Sequence, residues 1–235
     1  MKPTVFITGA DKGLGYCLVS RFLRGNYRVF AGYLDNGAQL RSLESAHGDD
    51  LICVPQDVTS VTSIRTSADR VAALTPSLDV LINCAGVCYG ETHKKILESD
   101  FINGRLEQTM AVNAFGPLRV TQALLPLIEK GSLKKIANIS SEAGSIGENW
   151  RDFGYAYCMS KAALNMQSVI LQKDVGARGI KVYVFHPGWM RTDMGRPDAH
   201  ISPETAAEGI FAQMHKPCAI EDPMYMDYTG RLFKW

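Results

Sequence analysis

Short runs of β-branched and aromatic residues recur along this chain, each followed by a segment with apolar residues at helical spacing, and this alternation constrains the fold more than any other feature. The runs are Thr4 to Thr8, Arg28 to Tyr33, Leu51 to Pro55, Asp79 to Ile82, Lys135 to Ser140 and Ile180 to Phe185. Helical spacing occupies Leu14 to Leu23, Gln39 to Ala46, Val61 to about Leu74, Arg105 to Lys130 and the stretch that opens at Tyr155. Strands that alternate with helices predict an α/β fold, a doubly wound parallel sheet of Rossmann type with helices on both faces. Val80-Leu81-Ile82 is apolar throughout, as a strand covered on both faces must be. A helix near Pro203 to Met214 and a strand near Met224 to Tyr228 complete an expected single domain over residues 1–235. Neither an internal repeat nor a low-complexity linker divides it, and 46% hydrophobic residues suffice for one large core.

In such a sheet a ligand lies beyond the carboxyl ends of the strands, so the residues there carry the functional argument. The first strand runs into Thr8-Gly9-Ala10-Asp11-Lys12-Gly13-Leu14-Gly15. Glycines at this place let the backbone approach a pyrophosphate at a helix N-terminus, whose free N–H groups and dipole favour an anion. Three residues separate Gly9 from Gly13 and one separates Gly13 from Gly15, which is not the GxGxxG spacing of most dinucleotide folds. The second strand ends at Gly32-Tyr33-Leu34 without the carboxylate that would hold an NAD ribose, although Asp35 follows. Lys12 and Arg41 can offer positive charge to a 2′-phosphate, which points to NADP(H), with NAD as the alternative. Asp57-Val58 ends the third strand as a candidate adenine contact, and Asn83-Cys84-Ala85-Gly86 ends the fourth. Ser140-Ser141 and His186-Pro187-Gly188 end the fifth and sixth.

The helix after the fifth strand places Tyr157 and Lys161 four residues apart, so phenol and ammonium lie one turn apart on one face. A phenol is a poor acid or base at neutral pH, and a fixed positive charge nearby together with the helix N-terminus is expected to favour its ionised form. Tyr155 competes for this role and fails on spacing, because Met159 stands four residues beyond it. Asn113 shares a face with Phe115 and Pro117 only if its helix bends near Gly116-Pro117, which proline permits.

Charge and cysteine usage narrow the partners. With 25 basic and 24 acidic residues the chain has no net field to draw it to nucleic acid or an anionic membrane. The six cysteines form no CxxC pair and no zinc-ligand spacing, so no metal is expected, and their apolar settings suggest free thiols in a cytoplasmic protein. No apolar run approaches the roughly 18 residues of a membrane span.

Thr8-Gly9-x-x-x-Gly13-x-Gly15, Asn83-x-Ala85-Gly86, Asn113, Ser141, Tyr157-x-x-x-Lys161 and Pro187-Gly188-x-x-x-Thr192 stand in one order, and together they resemble the short-chain dehydrogenase/reductase superfamily over nearly the whole chain. The run HPGWMRTDMG is most similar to the C-factor-like, carbonyl-reductase-like branch. The resemblance implies that Tyr157 exchanges a proton with the substrate oxygen, that Lys161 lowers the tyrosine pKa and holds the nicotinamide ribose, that Ser141 bonds the substrate oxygen, and that Asn113 anchors a relay water. For the cofactor it implies Thr8, Gly9, Asp11, Lys12, Gly13, Leu14, Gly15, Tyr33, Asp57, Val58, Asn83, Ala85, Gly86, Tyr157, Lys161, Pro187, Gly188, Met190 and Thr192. Cys84 replaces a frequent second Asn, Leu34 stands where many NADP-using relatives carry Arg, and 16 positions separate Ser141 from Tyr157, more than usual. Ser140 therefore remains the alternative hydroxyl, and segments 142–154 and 188–202 are expected to cover a substrate. Cys88, Tyr89, Trp150, Phe153, Trp189 and Met194 are candidates to line its pocket.

The expected activity is hydride transfer between NADP(H) and a small-molecule carbonyl or alcohol, by a homodimer or homotetramer. A dinucleotide-binding regulatory protein without turnover is the alternative, and Tyr157 argues against it, because a pure binder needs only Lys161. A nucleotide-sugar epimerase shares the Tyr/Lys pair and is disfavoured by the short C-terminal region.

Overall fold

In the computed structural model, which describes residues 2–35, 37–89, 94–195 and 197–235, seven parallel strands form one sheet in the order β3-β2-β1-β4-β5-β6-β7. These are β1 (Thr4–Ile7), β2 (Arg28–Tyr33), β3 (Leu51–Pro55), β4 (Val80–Asn83), β5 (Lys135–Ile139), β6 (Lys181–His186) and β7 (Tyr225–Asp227). The helices are α1 (Gly13–Arg24), α2 (Ala38–His47), α3 (Val61–Leu74), α4 (Arg105–Met110), α5 (Gly116–Ile128), α6 (Tyr155–Val175) and α7 (Pro203–His215). This is the doubly wound sheet that the alternation of runs predicts. Strand order reverses between β1 and β4, whose register pairs Ile7 with Ile82, and a crevice opens beyond their carboxyl ends.

Period-two alternation along each strand divides the core in two. Val5, Ile7, Val29, Val80 and Ile82 pack toward Leu18 and Phe22 of α1 and Ile210 of α7. Phe6, Phe30, Leu81 and Ile136 face the opposite way, toward Ile64 of α3 and Val120 and Leu124 of α5. Burial of these side chains contributes about 1.5–3 kcal/mol each, set against the entropy of ordering the chain.

Buried polar groups fix the register of this core. Asp79 accepts from Thr4 N at 2.8 Å and Ser132 N at 2.7 Å, which joins the amino ends of β1, β4 and β5. Asn83 Nδ2 donates to Asn138 Oδ1 at 2.8 Å, and Asn138 Nδ2 donates to Ser168 Oγ at 2.8 Å, which ties β4 through β5 to α6.

One expected element is divided. The helix read over Arg105 to Lys130 is interrupted by a π-helical turn at Ala111–Phe115, where Gly116 N donates to the carbonyl of Ala111, five residues back. Proline is the physical reason. Pro117 is four residues after Asn113 and has no N–H to give the Asn113 carbonyl, so the α-helical ladder cannot run through this point. Pro117 is tolerated because it falls at the start of α5.

Candidate active site

The glycine turn after β1 is built for close approach. Gly9 has φ +62°, and a Cβ there would lie 2.8 Å from Ala85 Cα; at Gly15 it would lie 2.0 Å from Gly9 O. Thr8 Oγ1 accepts from Cys84 N at 2.9 Å and Ala85 N at 3.0 Å, which locks this turn to the end of β4 across the crevice. The N-cap of α1 is Lys12, whose side chain makes no capping bond, so the first N–H groups of the helix have no side-chain acceptor. A bare glycine turn at an uncapped helix start suits the pyrophosphate of a dinucleotide.

Tyr157 lies in the first turn of α6, one turn before Lys161, as the spacing predicts, and Lys161 Nζ is 5.6 Å from the Tyr157 ring centroid. Lys161 is buried and donates to Ile139 O at 2.9 Å. Gly86 roofs it, since a Cβ there would stand 3.7 Å from Nζ. Asn113 is fully buried: its Oδ1 accepts from Val87 N at 2.8 Å, and its Nδ2 donates to Val87 O at 2.9 Å and Ser160 Oγ at 3.0 Å. Its side chain therefore fixes the chain after Gly86 against α6. Ser140 and Ser141 point to different partners. Ser140 Oγ donates to Asn165 Oδ1 at 2.6 Å in the interior, whereas Ser141 is the hydroxyl that acts on Tyr157.

Electrostatics correct one expectation. Burial pushes the Tyr157 hydroxyl well above its ordinary value, with the neighbouring Cys88 adding to the rise and the Ser141 hydroxyl opposing it. The lowering expected from Lys161 does not emerge in the protein alone; burial dominates, because a phenolate would be desolvated there. Lys161 is itself pushed down to about 8 by burial, with Cys84 and Cys88 acting the other way.

The remaining expected contacts divide. Tyr33 ends β2 with Arg41 beside it, the guanidinium 5.8 Å from the ring centroid, while Leu34 is 63% exposed. Lys12 Nζ lies 4.0 Å from Asp193 Oδ2, so this lysine leans toward the segment after β6. Asp57 Oδ1 accepts from Thr59 N and Thr59 Oγ1, and Val58 packs at Gly116. The Asn83 side chain turns to the interior, where Nδ2 donates to Thr121 Oγ1 at 3.1 Å and Asn138 Oδ1 at 2.8 Å. Pro187 and Gly188 lead into Met190, which bridges to Ile201, and Thr192 Oγ1 accepts from Gly195 N at 3.1 Å. At Gly13 a Cβ would lie 3.5 Å from Thr192 Cγ2, so this segment closes the crevice against the glycine turn.

Beside Tyr157 a pocket is lined by Cys88, Tyr89, Arg105, Thr109, Gly154 and Ala156. Cys88 and Tyr89 were expected there; Arg105 and Thr109 were not, and their four-residue spacing on α4 was the available signal. Trp150 instead packs edge-on against Phe153, and Trp189 edge-on against His200. Segment 142–154 is tied down by the last residues of the chain, with Ser145 Oγ donating to Lys234 O at 2.6 Å and Gly147 N to Trp235 O at 2.7 Å. Sequence reading also missed Glu142, Arg151 and His186, which cluster behind Ser141. Among the described residues no group of His, Cys, Asp and Glu could hold a metal, and no helix is long and apolar enough to cross a membrane.

Comparison with known proteins gives the same picture. A family model described as short chain dehydrogenase matches residues 3–201. C-signal of Myxococcus xanthus is 36% identical over 161 residues, covering 68% of this chain and 95% of its own. The 1-hydroxy-2-glutathionyl-2-methyl-3-butene dehydrogenase of Rhodococcus sp. strain AD45 is 30% identical over 236 residues, covering 99% of each chain. Among solved structures, NADPH-bound carbonyl reductase from chicken fatty liver superimposes over 100% of both chains with a TM-score of 0.90 at 29% identity. Carbonyl reductase Sniffer of D. melanogaster gives 0.92 at 26% identity, again over 100% of both.

Proposed function

This chain belongs to the short-chain dehydrogenase/reductase family, within its carbonyl-reductase-like branch, and from that membership we propose that it transfers a hydride between NADP(H) and the carbonyl or alcohol of a small, partly apolar molecule. It is an NAD(P)-dependent oxidoreductase. The observation that carries the finer reading is the convergence of Tyr157, Ser141 and Lys161 on one end of the crevice, with a pocket opening beside the tyrosine. A dinucleotide binder without turnover would have no use for the first two.

When bound, the nicotinamide supplies or accepts the hydride. The residues of the chain handle the proton and the geometry. Tyr157, kept protonated by burial, gives its proton to the carbonyl oxygen in reduction and takes the hydroxyl proton in oxidation. Ser141 hydrogen-bonds the same oxygen and stabilises charge developing on it. Lys161 holds the ribose and offers a positive charge under Gly86. The Asn113 carbonyl, deprived of its helical donor by Pro117, anchors a water that refills the proton of Tyr157 through Lys161. The glycine turn with Asp11 and Leu14 would take the pyrophosphate, Lys12 and Arg41 would offer charge to the 2′-phosphate, and Asp57 and Val58 would flank the adenine. Met190, Thr192 and the turn at Pro187 and Gly188 meet the nicotinamide side.

The six cysteines form no disulfide, which fits a reducing cytoplasm, and the exposed apolar faces of α5 and α6 fit a homodimer or homotetramer of one-domain chains. A screen of carbonyl compounds with loss of NADPH absorbance as the readout tests the activity. Oxidation of NADPH by an aromatic or aliphatic carbonyl supports it, and inertness toward every carbonyl and alcohol class with both cofactors contradicts it.

A further inference from the structure

Ser141 stands at the start of a turn whose backbone is held at two points. Its carbonyl oxygen accepts Gly144 N–H at 3.0 Å, which closes the 3-10 turn Glu142–Gly144, and it accepts the Tyr225 O–H from β7 at 2.6 Å. The turn lies flat on α6, since a Cβ at Gly144 would stand 2.7 Å from the backbone carbonyl carbon of Lys161. Ser141 is thus set between the helix that carries Tyr157 and Lys161 and the strand that carries Tyr225.

Tyr225 is itself firmly held. It is buried, with its ring stacked on Trp235 at 5.0 Å and 22° and tilted against Phe233 at 5.2 Å. Those two rings reach it because the chain turns back after β7: Asp227 N donates to Arg231 O at 2.9 Å, Gly230 takes φ +96°, and Phe233 N donates to Tyr225 O at 3.0 Å. The same returning segment holds the residues beyond the serine turn, through Lys234 O with Ser145 Oγ and Trp235 O with Gly147 N. Burial pushes the Tyr225 hydroxyl up to about 12, with the Asn165 amide opposing the rise, so it stays a donor throughout the neutral range.

We propose that Tyr225 is a positioning residue: its hydroxyl fixes the tilt of the Ser141 peptide and so the point at which the Ser141 hydroxyl meets the substrate oxygen. The inference rests on the reading of Ser141 as the group that hydrogen-bonds that oxygen. Tyr225 engages the carbonyl and not the hydroxyl, so it does not compete with the substrate. Two donors on one carbonyl define a direction, whereas Gly144 alone leaves the peptide free to rock about the turn. A displacement of about 1 Å at a reacting group costs on the order of a hundredfold in rate, and a hydrogen bond weakens steeply with angle. Loss of the Tyr225 bond leaves the carbonyl satisfied by Gly144, so the effect falls on rate more than on folding.

The test is a double-mutant cycle of Tyr225→Phe and Ser141→Ala, read by kcat for NADPH-dependent reduction of the carbonyl compound turned over fastest in the screen, with the NADPH dissociation constant taken on each protein. Tyr225→Phe lowers kcat about tenfold with NADPH affinity within about twofold of wild type. In a Ser141→Ala background it has no further effect, because a residue that acts through the Ser141 hydroxyl has nothing left to position. A kcat for Tyr225→Phe within about twofold of wild type, or a loss of the same size with and without the Ser141 hydroxyl, would overturn the proposal. Trp235 is 44% exposed, so Trp235→Leu removes the stacked ring at little risk to folding, and it lowers kcat a few-fold, again only when Ser141 is present. If Tyr225→Phe does not fold, Trp235→Leu decides alone, and an unchanged kcat overturns the proposal. A Ser141→Ala variant that keeps wild-type kcat would instead overturn the reading of Ser141, and the role of Tyr225 would fall with it.

Discussion

Lys161 donates its ammonium to the Ile139 carbonyl oxygen at 2.9 Å, in a place where burial lowers its pKa from 10.5 to about 8. The unfolded chain therefore holds a proton that the native protein lacks between those values, and through Lys161 stability rises with pH across that window. Below pH 8 burying the ammonium costs up to ~3 kcal/mol, offset in part by the Ile139 bond. Denaturant unfolding of Lys161→Met against wild type should show the variant relatively more stable at neutral pH, with the gap closing between pH 8 and 10.5. A gap that does not change with pH would contradict this account of the site.

Adjacent serines should separate cleanly. Ser140→Ala strips a 2.6 Å bond from buried Asn165 and should cost about 1–3 kcal/mol of stability while leaving kcat within a few-fold. Ser141→Ala should lower kcat by about a hundredfold with a small loss of stability. Thermal unfolding and steady-state kinetics on both variants would detect the reverse pattern, which would make Ser140 the working hydroxyl.

Cofactor choice follows from the end of β2. Without a carboxylate at Tyr33, and with Arg41 beside it, NADPH should bind about tenfold more tightly than NADH. One charge-assisted bond of ~1.5–3 kcal/mol suffices for that ratio. Fluorescence titration of both reduced cofactors should show the preference shrink in Arg41→Ala and in Lys12→Ala. An unchanged preference in both would place the 2′-phosphate elsewhere.

Leu118 on α5 and Met159, Met166 and Ile170 on α6 are each close to half exposed or more, although both helices also contribute to the core. A symmetric dimer, or a tetramer built from it, would cover this face. Light scattering at micromolar concentration should give two or four times the mass of one chain, and Met166→Lys with Ile170→Lys should reduce it. A single-chain mass for the unmutated protein would refute the assembly.

Much of this site was legible because its residues obey short-range rules. Tyr157 and Lys161 share a helix face by spacing alone, and Gly9, Gly13 and Gly15 announce a turn whose close approaches at Gly9 and Gly15 and positive φ at Gly9 and Gly13 favour glycine. What sequence could not supply was set by contacts between distant segments. Asn83 stands at a strand end, and the partners of its side-chain amide, Asn138 and Thr121, are more than thirty positions away. The direction of the Tyr157 shift depends on how completely the surrounding chain excludes water, which no local pattern records. Glu142 was hidden for the same reason, since His186, 3.4 Å from it, lies at the end of β6.

The role of Tyr157 in moving the proton is read out by kcat for NADPH-dependent carbonyl reduction by wild type and Tyr157→Phe, with the NADPH dissociation constant taken on the same samples. The substitution removes one hydroxyl and no packing volume, so kcat should fall by at least about a hundredfold while NADPH affinity stays within about twofold. A variant that keeps most of its kcat would contradict the mechanism.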